Sequence, residues 1–367
     1  MKKILITGGP VHAYLDDVKI ITNKFNGGLI ALLANELAYK PETKITYLTS
    51  QGSRRPLNEN IKLVLHDGFE DYRNKCQEMA SSFDIVILGA AVANLIPVKP
   101  IVGKFPSHNY KPGDVIPIDF CIAPRIVDTI KKAAPNVNLF AFKLLSGVPH
   151  EELIDAAHEI AIESKAMAVI ANDYKNLKTK YIVGKERSDF EIQSENLADV
   201  ILKLSSAKFY HTDRLCGLDE DLPKCQEFRN LVNKLYDNGD FTETKSGFVF
   251  GTVAVRQNKG FLTTSRGKKE VSDIAYVMNV KHDEKIVCIH SNKGVKATLN
   301  APLLDFIFKK NPNVFKIIHN HNRQSKLPIE PYFQPGTDLD SLRNISTSFY
   351  IDGHGEFLLF NKEGEQI

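Results

Sequence analysis

The sequence predicts an α/β protein: a mostly parallel sheet with helices on both faces, followed by a second α/β domain. Two observations carry this. Apolar β-type runs recur at Lys3–Thr7, Lys44–Leu48, Ile61–Leu65, Asp84–Leu88, Val137–Phe142 and Ala166–Ala171, with helical stretches between several of them. Alternating strands and helices assemble into parallel sheets, because each crossover lays a helix on a sheet face. The stretch 151–164 then places Leu153, Ile154, Ala157, Ile160 and Ala161 on one helical face, at a period near 3.6. Ligands of such folds bind at the carboxyl ends of the strands.

Each further element follows in order. An apolar helix is expected at 29–39. From Pro97 to Pro124 prolines stand at 97, 100, 106, 112, 117 and 124, with Gly103 and Gly113; so long a loop in a compact domain is usually a functional lid or disordered. A helix near Asn196–Ser205 closes the first unit. Lys208–Leu222 reads as polar and irregular, so the boundary is placed there, giving domains 1–206 and 207–367. The second begins with a helix around Pro223–Asn238. Strands follow at Phe248–Val255, Gly260–Thr264, Lys285–His290, Phe315–His319 and Tyr350–Phe360, with a helix at 301–310.

Composition narrows the class. The chain has 367 residues, 43% hydrophobic and 25% charged, as in ordinary globular proteins. Lys plus Arg is 47 against 44 for Asp plus Glu, a net +3 that leaves no nucleic-acid footprint. No apolar run approaches the roughly 18 residues of a membrane span. The N-terminus lacks the apolar stretch of a signal peptide. Five cysteines without a C-x-x-C pair read as reduced thiols in a cytoplasmic protein.

One constellation lies in the first half. Ile4-Leu5-Ile6-Thr7-Gly8-Gly9 is a strand ending in paired glycines, whose N–H groups can approach a phosphate. It matches neither G-x-G-x-x-G nor G-x-x-x-x-G-K-[ST], which lowers the case for NAD and for a P-loop. Thr22-Asn23-Lys24-Phe25-Asn26-Gly27-Gly28 precedes the helix at 29–39. Further on come Asp84–Asn94 (Asp-Ile-Val-Ile-Leu-Gly-Ala-Ala-Val-Ala-Asn), Ala123-Pro124-Arg125-Ile126-Val127, Phe140–Gly147 and Ile170-Ala171-Asn172-Asp173.

In this order and spacing, residues 1–205 resemble the phosphopantothenate–cysteine ligase family of coenzyme A biosynthesis, without its flavin-dependent decarboxylase domain. The resemblance implies a Rossmann-like sheet and a reaction between 4′-phosphopantothenate and cysteine. A nucleoside triphosphate, CTP or ATP with Mg²⁺, activates the acid as an acyl-nucleotide. It implies Asn23 as donor to the acyl carbonyl, and Lys104, ten residues after Asn94, as a lid cation over the phosphates. Nucleotide and substrate contacts carried over are Gly8, Gly9, Gly27, Leu88, Gly89, Ala90, Asn94, Pro124, Arg125, Ile126, Val127 and Phe142. The sequence departs from the family at Asn94 for Asp, Gly28 for Lys or His, and Ala123-Pro124-Arg125 for Asn-Pro-Asp. Lys165 reads as an exposed helix lysine.

The second constellation is histidine. In Phe315-Lys316-Ile317-Ile318-His319-Asn320-His321, the two histidines share a strand face. A third, His354, sits in Asp352-Gly353-His354-Gly355. Three histidines with an open position make a common catalytic zinc arrangement. Gly251–Arg256, Leu262–Gly267, His319–His321, Pro331–Gly336 and His354-Gly355 resemble segments of the class II aldolase/adducin family, over residues 208–367. That resemblance implies Zn²⁺ on His319, His321 and His354. The family's acid/base glutamate is replaced by Asn300, which cannot exchange a proton near neutral pH, so aldol activity is not expected. His108, His150, His158, His211 and His282 read as surface or turn residues.

The leading expectation is therefore a cytoplasmic ligase acting on small molecules, with an aldolase-like domain of open activity. The alternatives are a metal-dependent carbon–carbon lyase and a non-catalytic oligomerisation module in the C-terminal domain. Both resemblances imply a homo-oligomer, at least a dimer, with neither nucleic acid nor membrane as partner.

Overall fold

The computed structural model describes residues 1–218, 223–244, 246–268, 273–322, 325–332, 334–337, 339, 342 and 345–367. Residues 219–222 of the segment read as irregular, and Phe333 of the 331–336 segment, lie outside the described residues. The chain forms two compact units. The first comprises Met1–Val148, Ala156–Lys180 and Ile192–Ser205; the second comprises Pro149–Asp155, Tyr181–Glu191 and Ser206–Ile367.

In the first unit, Ile4, Leu5 and Ile6 are all fully buried, as are Ile85, Val86 and Ile87. Consecutive burial means that both faces of these strands are covered, as parallel sheets require. The parallel strands stand in the order Ala168–Asp173, Asn138–Leu145, Ile85–Leu88, Lys2–Gly8, Thr43–Ser50, Lys62–His66. Numbered along the chain, this is 6-5-4-1-2-3, the doubly wound order. Its direction reverses between Lys2–Gly8 and Ile85–Leu88, and a crevice opens beyond their carboxyl ends. Helix Gly28–Tyr39 buries Ile30, Ala31, Leu33, Ala34 and Leu37, the i, i+3, i+4, i+7 stripe of a one-sided helix. Truncating Leu37 to Ala would cost about 2–5 kcal/mol.

The second unit holds a mixed, mainly antiparallel sheet. Its order is His211–Cys216, Ile286–Ser291, Ile274–Lys281, Phe261–Thr264, Thr252–Arg256, Lys316–Asn320, Gly355–Phe360, Phe349–Ile351, Ile329–Glu330. Alternation puts Val253, Leu262 and Ile274 in one core with Phe228 and Val232 of helix Pro223–Asp237. Ala254, Phe261 and Ala275 join Leu304, Ile307 and Phe308 of helix Ala301–Lys310 on the other face. Three layers result, with the sheet in the middle.

Several expectations change. The segment read as irregular contains strand His211–Cys216, paired parallel to Ile286–Ser291; its largely exposed side chains give an edge strand no apolar alternation to read. The proline-rich loop is closed by an antiparallel ladder of Leu95–Pro97 with Phe120–Ile122. Lys165 is exposed but lies beyond helix His150–Glu163, with φ 56, as a left-handed turn residue rather than a helical one. His158 is buried, not on the surface. His150 pairs with Asp189 at 2.8 Å, and His282 with Asp305 at 2.8 Å. These carboxylates are distant in sequence, so no local pattern announces the pairs.

Candidate functional sites: a glycine cleft and a histidine cluster

A cleft of about 640 Å³ opens at the switch point of the parallel sheet, among Gly9, Asn23, Gly27, Gly89, Ala90 and Phe142. Phe25, Leu29, Ile30 and Leu144 line it as well. Gly27 has φ 87, and a Cβ there would stand 2.5 Å from the Gly9 backbone nitrogen. Only glycine lets the two turns meet. Asn23 donates one amide hydrogen to the Val92 carbonyl oxygen at 2.9 Å, which orients the side chain and leaves its second N–H.

Six of the expected residues thus converge on the cleft. Gly8 and Leu88 sit in the strands that end at it. Asn94, Lys104 and Pro124–Val127 are not among its lining residues. Arg125 is engaged elsewhere, with Glu163 at 2.6 Å and Asp128 at 3.3 Å. Lys104 is exposed, on a loop fastened by its neighbour: Asp16 accepts from Phe105 N at 3.0 Å, Val18 N at 2.7 Å and Lys19 Nζ at 2.9 Å. Burial alone would raise the Asp16 pKa, but these hydrogen bonds hold the carboxyl well below its usual range.

Lys180 and Asn172 are among the lining residues that the sequence did not assign to the site. Lys180, on strand Asn176–Val183, is 1% exposed, and burial lowers its pKa. Its amine donates to the Leu177 carbonyl oxygen. Asn172 is buried beside it in the lining, its Oδ1 without a hydrogen-bond partner. The motif around Asn172 was visible in sequence; nothing marked Lys180, because its polar strand carries no alternation.

The second unit brings His319, His321 and His354 together, with ligand nitrogens within 4.8 Å of one another. His319 comes from strand Lys316–Asn320 and stacks on Phe357 at 4.2 Å. Its Nδ1–H donates to the Glu356 carbonyl oxygen at 2.9 Å, leaving the Nε2 lone pair unshared. His354 makes the mirror choice: Nε2–H donates to Asn300 Oδ1 at 3.2 Å, and Nδ1 has no partner. Such carbonyl-held imidazoles are how proteins present histidine to a metal. Burial pushes the His319 pKa down to about 4 and that of His354 well below its ordinary value, so both are neutral donors at pH 7. The donor set and the orphaned nitrogens fit a zinc-like divalent ion.

Ser265 Oγ, Arg266 Nε and Asn300 Nδ2 are also buried without partners. Lys268 donates to the Gly251 carbonyl oxygen at 2.6 Å, and burial lowers its pKa to about 8. Asn300 is 1% exposed immediately before helix Ala301–Lys310 and holds His354, a role that needs no proton exchange.

Comparison with known proteins decides the family. The model described as DNA/pantothenate metabolism flavoprotein C-terminal domain matches residues 1–208. The chain belongs to this family. It is 27% identical over 176 residues to the coenzyme A biosynthesis bifunctional protein CoaBC of Thermococcus kodakarensis, covering 47% of this chain and 42% of that one. The chain spans about half the length of the curated relatives it matches. Among solved structures, the DNA/pantothenate metabolism flavoprotein from Streptococcus pneumoniae is 22% identical, with TM-score 0.49, covering 55% of this chain and 97% of that one. L-fuculose 1-phosphate aldolase from Glaciozyma antarctica is 16% identical, with TM-score 0.28, covering 37% of this chain and 63% of that one. No helix among the described residues is long and apolar enough to cross a membrane.

Proposed function

We propose that the chain is a phosphopantothenate–cysteine ligase of coenzyme A biosynthesis. The supporting observation is the glycine-walled cleft at the switch point, lined by Asn23, within a chain of this family. The carboxylate of 4′-phosphopantothenate attacks the α-phosphate of CTP or ATP, pyrophosphate leaves, and cysteine's amine then displaces the nucleotide monophosphate. Mg²⁺ travels with the triphosphate and spreads its charge. The free N–H of Asn23 donates to the carbonyl oxygen as it gains charge. Lys104 closes over the phosphates on its latched loop and keeps water from the mixed anhydride. Gly8, Gly9, Gly27, Leu88, Gly89, Ala90 and Phe142 hold nucleotide and acyl groups. Asn94 and Pro124–Val127 complete the site when the loops close.

The test is pyrophosphate release from phosphopantothenate with CTP or ATP and Mg²⁺, and product formation on adding cysteine. Folded protein that turns over neither nucleotide would sink the assignment. Residues 1–206 carry this reaction and 207–367 form the second domain. The protein acts as a dimer or larger homo-oligomer in a reducing, cytoplasmic compartment, in keeping with five cysteines outside any disulfide. Within 207–367, His319, His321 and His354 hold one zinc ion, which polarises a carbonyl oxygen when bound. Orphaned, neutral imidazole nitrogens support this second reading; metal analysis after incubation with zinc tests it.

A further inference from the structure

We propose that Lys180 selects the nucleotide base in the glycine cleft, and that it selects cytosine over adenine. This rests on the ligase reading above and names its nucleotide. Lys180 is not among the residues that the ligase resemblance carries over. It lines the cleft from strand Asn176–Val183 and is 1% exposed. One of its N–H groups goes to the Leu177 carbonyl oxygen, and no carboxylate among the described residues pairs with it. An ammonium buried without a counter-ion is destabilising. A ligand that accepts its remaining hydrogens offsets that cost.

Asn172 offers the opposite polarity. It is 5% exposed in the same lining. Its Nδ2 donates to the Lys143 carbonyl oxygen at 3.3 Å and to the Ile170 carbonyl oxygen at 3.2 Å, which spends both hydrogens and fixes the direction of the amide. Oδ1 is left buried with no partner. The cleft therefore holds one fixed donor and one fixed acceptor.

Their surroundings suit a heterocycle. Leu144 is the register partner of Asn172, Leu177 holds Lys180, and Phe142 adds an aromatic face to the same lining. Phosphates belong at the other end. There Gly9, Gly27 and Gly28 line the cleft at the N-terminus of helix Gly28–Tyr39, whose first turn holds no acidic residue. Arg54 N donates to the Asn26 carbonyl oxygen at 2.8 Å, and its Nη1 stands 3.8 Å from where a Gly28 Cβ would be. Strand Asn176–Val183 lies four places from strand Lys2–Gly8 in the sheet, roughly 19 Å at the usual strand spacing, so the two ends are distinct.

Cytosine carries the O2 carbonyl oxygen and the N4 amino group; adenine carries an amino group and ring nitrogens but no carbonyl. A charge-assisted bond from Lys180 to O2, with N4–H donated to Asn172 Oδ1, satisfies both residues. ATP gives Lys180 no carbonyl oxygen. UTP lacks the amino group and sets its O4 against Asn172 Oδ1. A site whose polar groups stay unpaired with the wrong ligand discriminates strongly.

The experiment measures binding of CTP, ATP and UTP with Mg²⁺ to the full chain by calorimetry, in wild type and in Lys180→Met. Wild type should bind CTP about tenfold or more tightly than ATP or UTP. Lys180→Met should lose that preference, chiefly through weaker CTP binding, with an unchanged or higher melting temperature because a buried charge is gone. 2-Thiocytidine triphosphate, which replaces O2 by a poorer acceptor, should bind wild type about tenfold more weakly than CTP, a measurement that needs no variant. Equal wild-type affinity for CTP and ATP overturns the proposal, as does full affinity for the thio analogue. Equal loss of all three nucleotides in Lys180→Met, with a lower melting temperature, makes Lys180 structural and also overturns it. Pyrophosphate released from phosphopantothenate equally well with CTP and ATP keeps the ligase reading and removes the role of Lys180. Selective CTP binding without pyrophosphate release removes the ligase reaction and leaves Lys180 as the base selector. No binding of any nucleotide removes both.

Discussion

The two sites are built from opposite materials. In the cleft of the parallel sheet, Gly9, Gly27 and Gly89 bring main chain close, and Lys104, the lid residue proposed above, stands on an exposed loop. At the histidine site, buried His319 and His354 each hold one ring nitrogen against the protein and keep the other without a partner, beside the half-buried His321. A backbone-walled, open cleft suits a large substrate that must enter and leave. An enclosed set of orphaned donors and acceptors costs about 1–3 kcal/mol for each unsatisfied group, and a resident ion offsets that cost. The first site is therefore expected to be stable when empty, and the second to gain stability from metal.

The sharpest way to break this contrast is in the first site. Lys104→Gln should abolish acyl-nucleotide formation. Asn23→Asp should let it form and accumulate, at a cost of about 3–4 kcal/mol in the second step. Quench-flow or mass detection of the intermediate distinguishes them; intermediate in the lysine variant alone would exchange the two roles.

Next in size is metal. Zinc at 100 times its dissociation constant should stabilise the protein by about 2.7 kcal/mol, seen as a higher melting temperature that His319→Ala removes. The ligase reaction should survive zinc chelation once Mg²⁺ is restored. Activity lost with zinc and regained only with zinc would show that the sites are not independent.

Gly27→Ala tests the backbone-built cleft. A methyl group 2.5 Å from Gly9 N, at φ 87, must push the two turns apart. A loss of about 1–2 kcal/mol in stability is expected from the left-handed strain alone, with a larger loss of nucleotide affinity by calorimetry. Unchanged affinity would move phosphate binding elsewhere.

A smaller effect concerns acid. Burial lowers the His66 pKa from 6.5 to about 4. Its unfolded form takes up a proton as pH falls below 6.5, while the folded form does not until about 4. Folding stability should therefore be constant above that window and fall within it, by up to about 3 kcal/mol for this residue. Urea unfolding between pH 7 and 4.5 measures it, and a His66→Gln variant should flatten the slope. The smallest change is expected from Asp16→Asn, which loosens the Lys104 loop and should slow acyl-nucleotide formation roughly tenfold without altering cysteine affinity.

Much of the first unit was legible in sequence because its signals are local. Strands Lys2–Gly8, Thr43–Ser50 and Ile85–Leu88 carry β-type apolar residues in close succession, and helix Gly28–Tyr39 shows its stripe directly. Strand alternation pointed to the approach of His319 and His321, although strand Lys316–Asn320 ends one residue before His321. Strand His211–Cys216 left no such mark, since a polar strand at a sheet edge carries no period, and Lys180 lies on a polar-reading strand one place in from the sheet edge. The contacts of Asp189 and Phe190 were invisible for another reason: their partners, Gly353 and Tyr332, are remote along the chain.

The amino-acid sequence by itself determined the α/β class, the glycine turn and the histidine pair, because each depends on residues within one element or one turn. Only the tertiary structure decided which carboxylates are committed, that Asn300 holds His354, and that Lys180 is buried in the cleft. Those outcomes depend on which distant groups share a low-dielectric space, where burial and partnering together set each group's proton affinity, and neither is encoded by any local pattern.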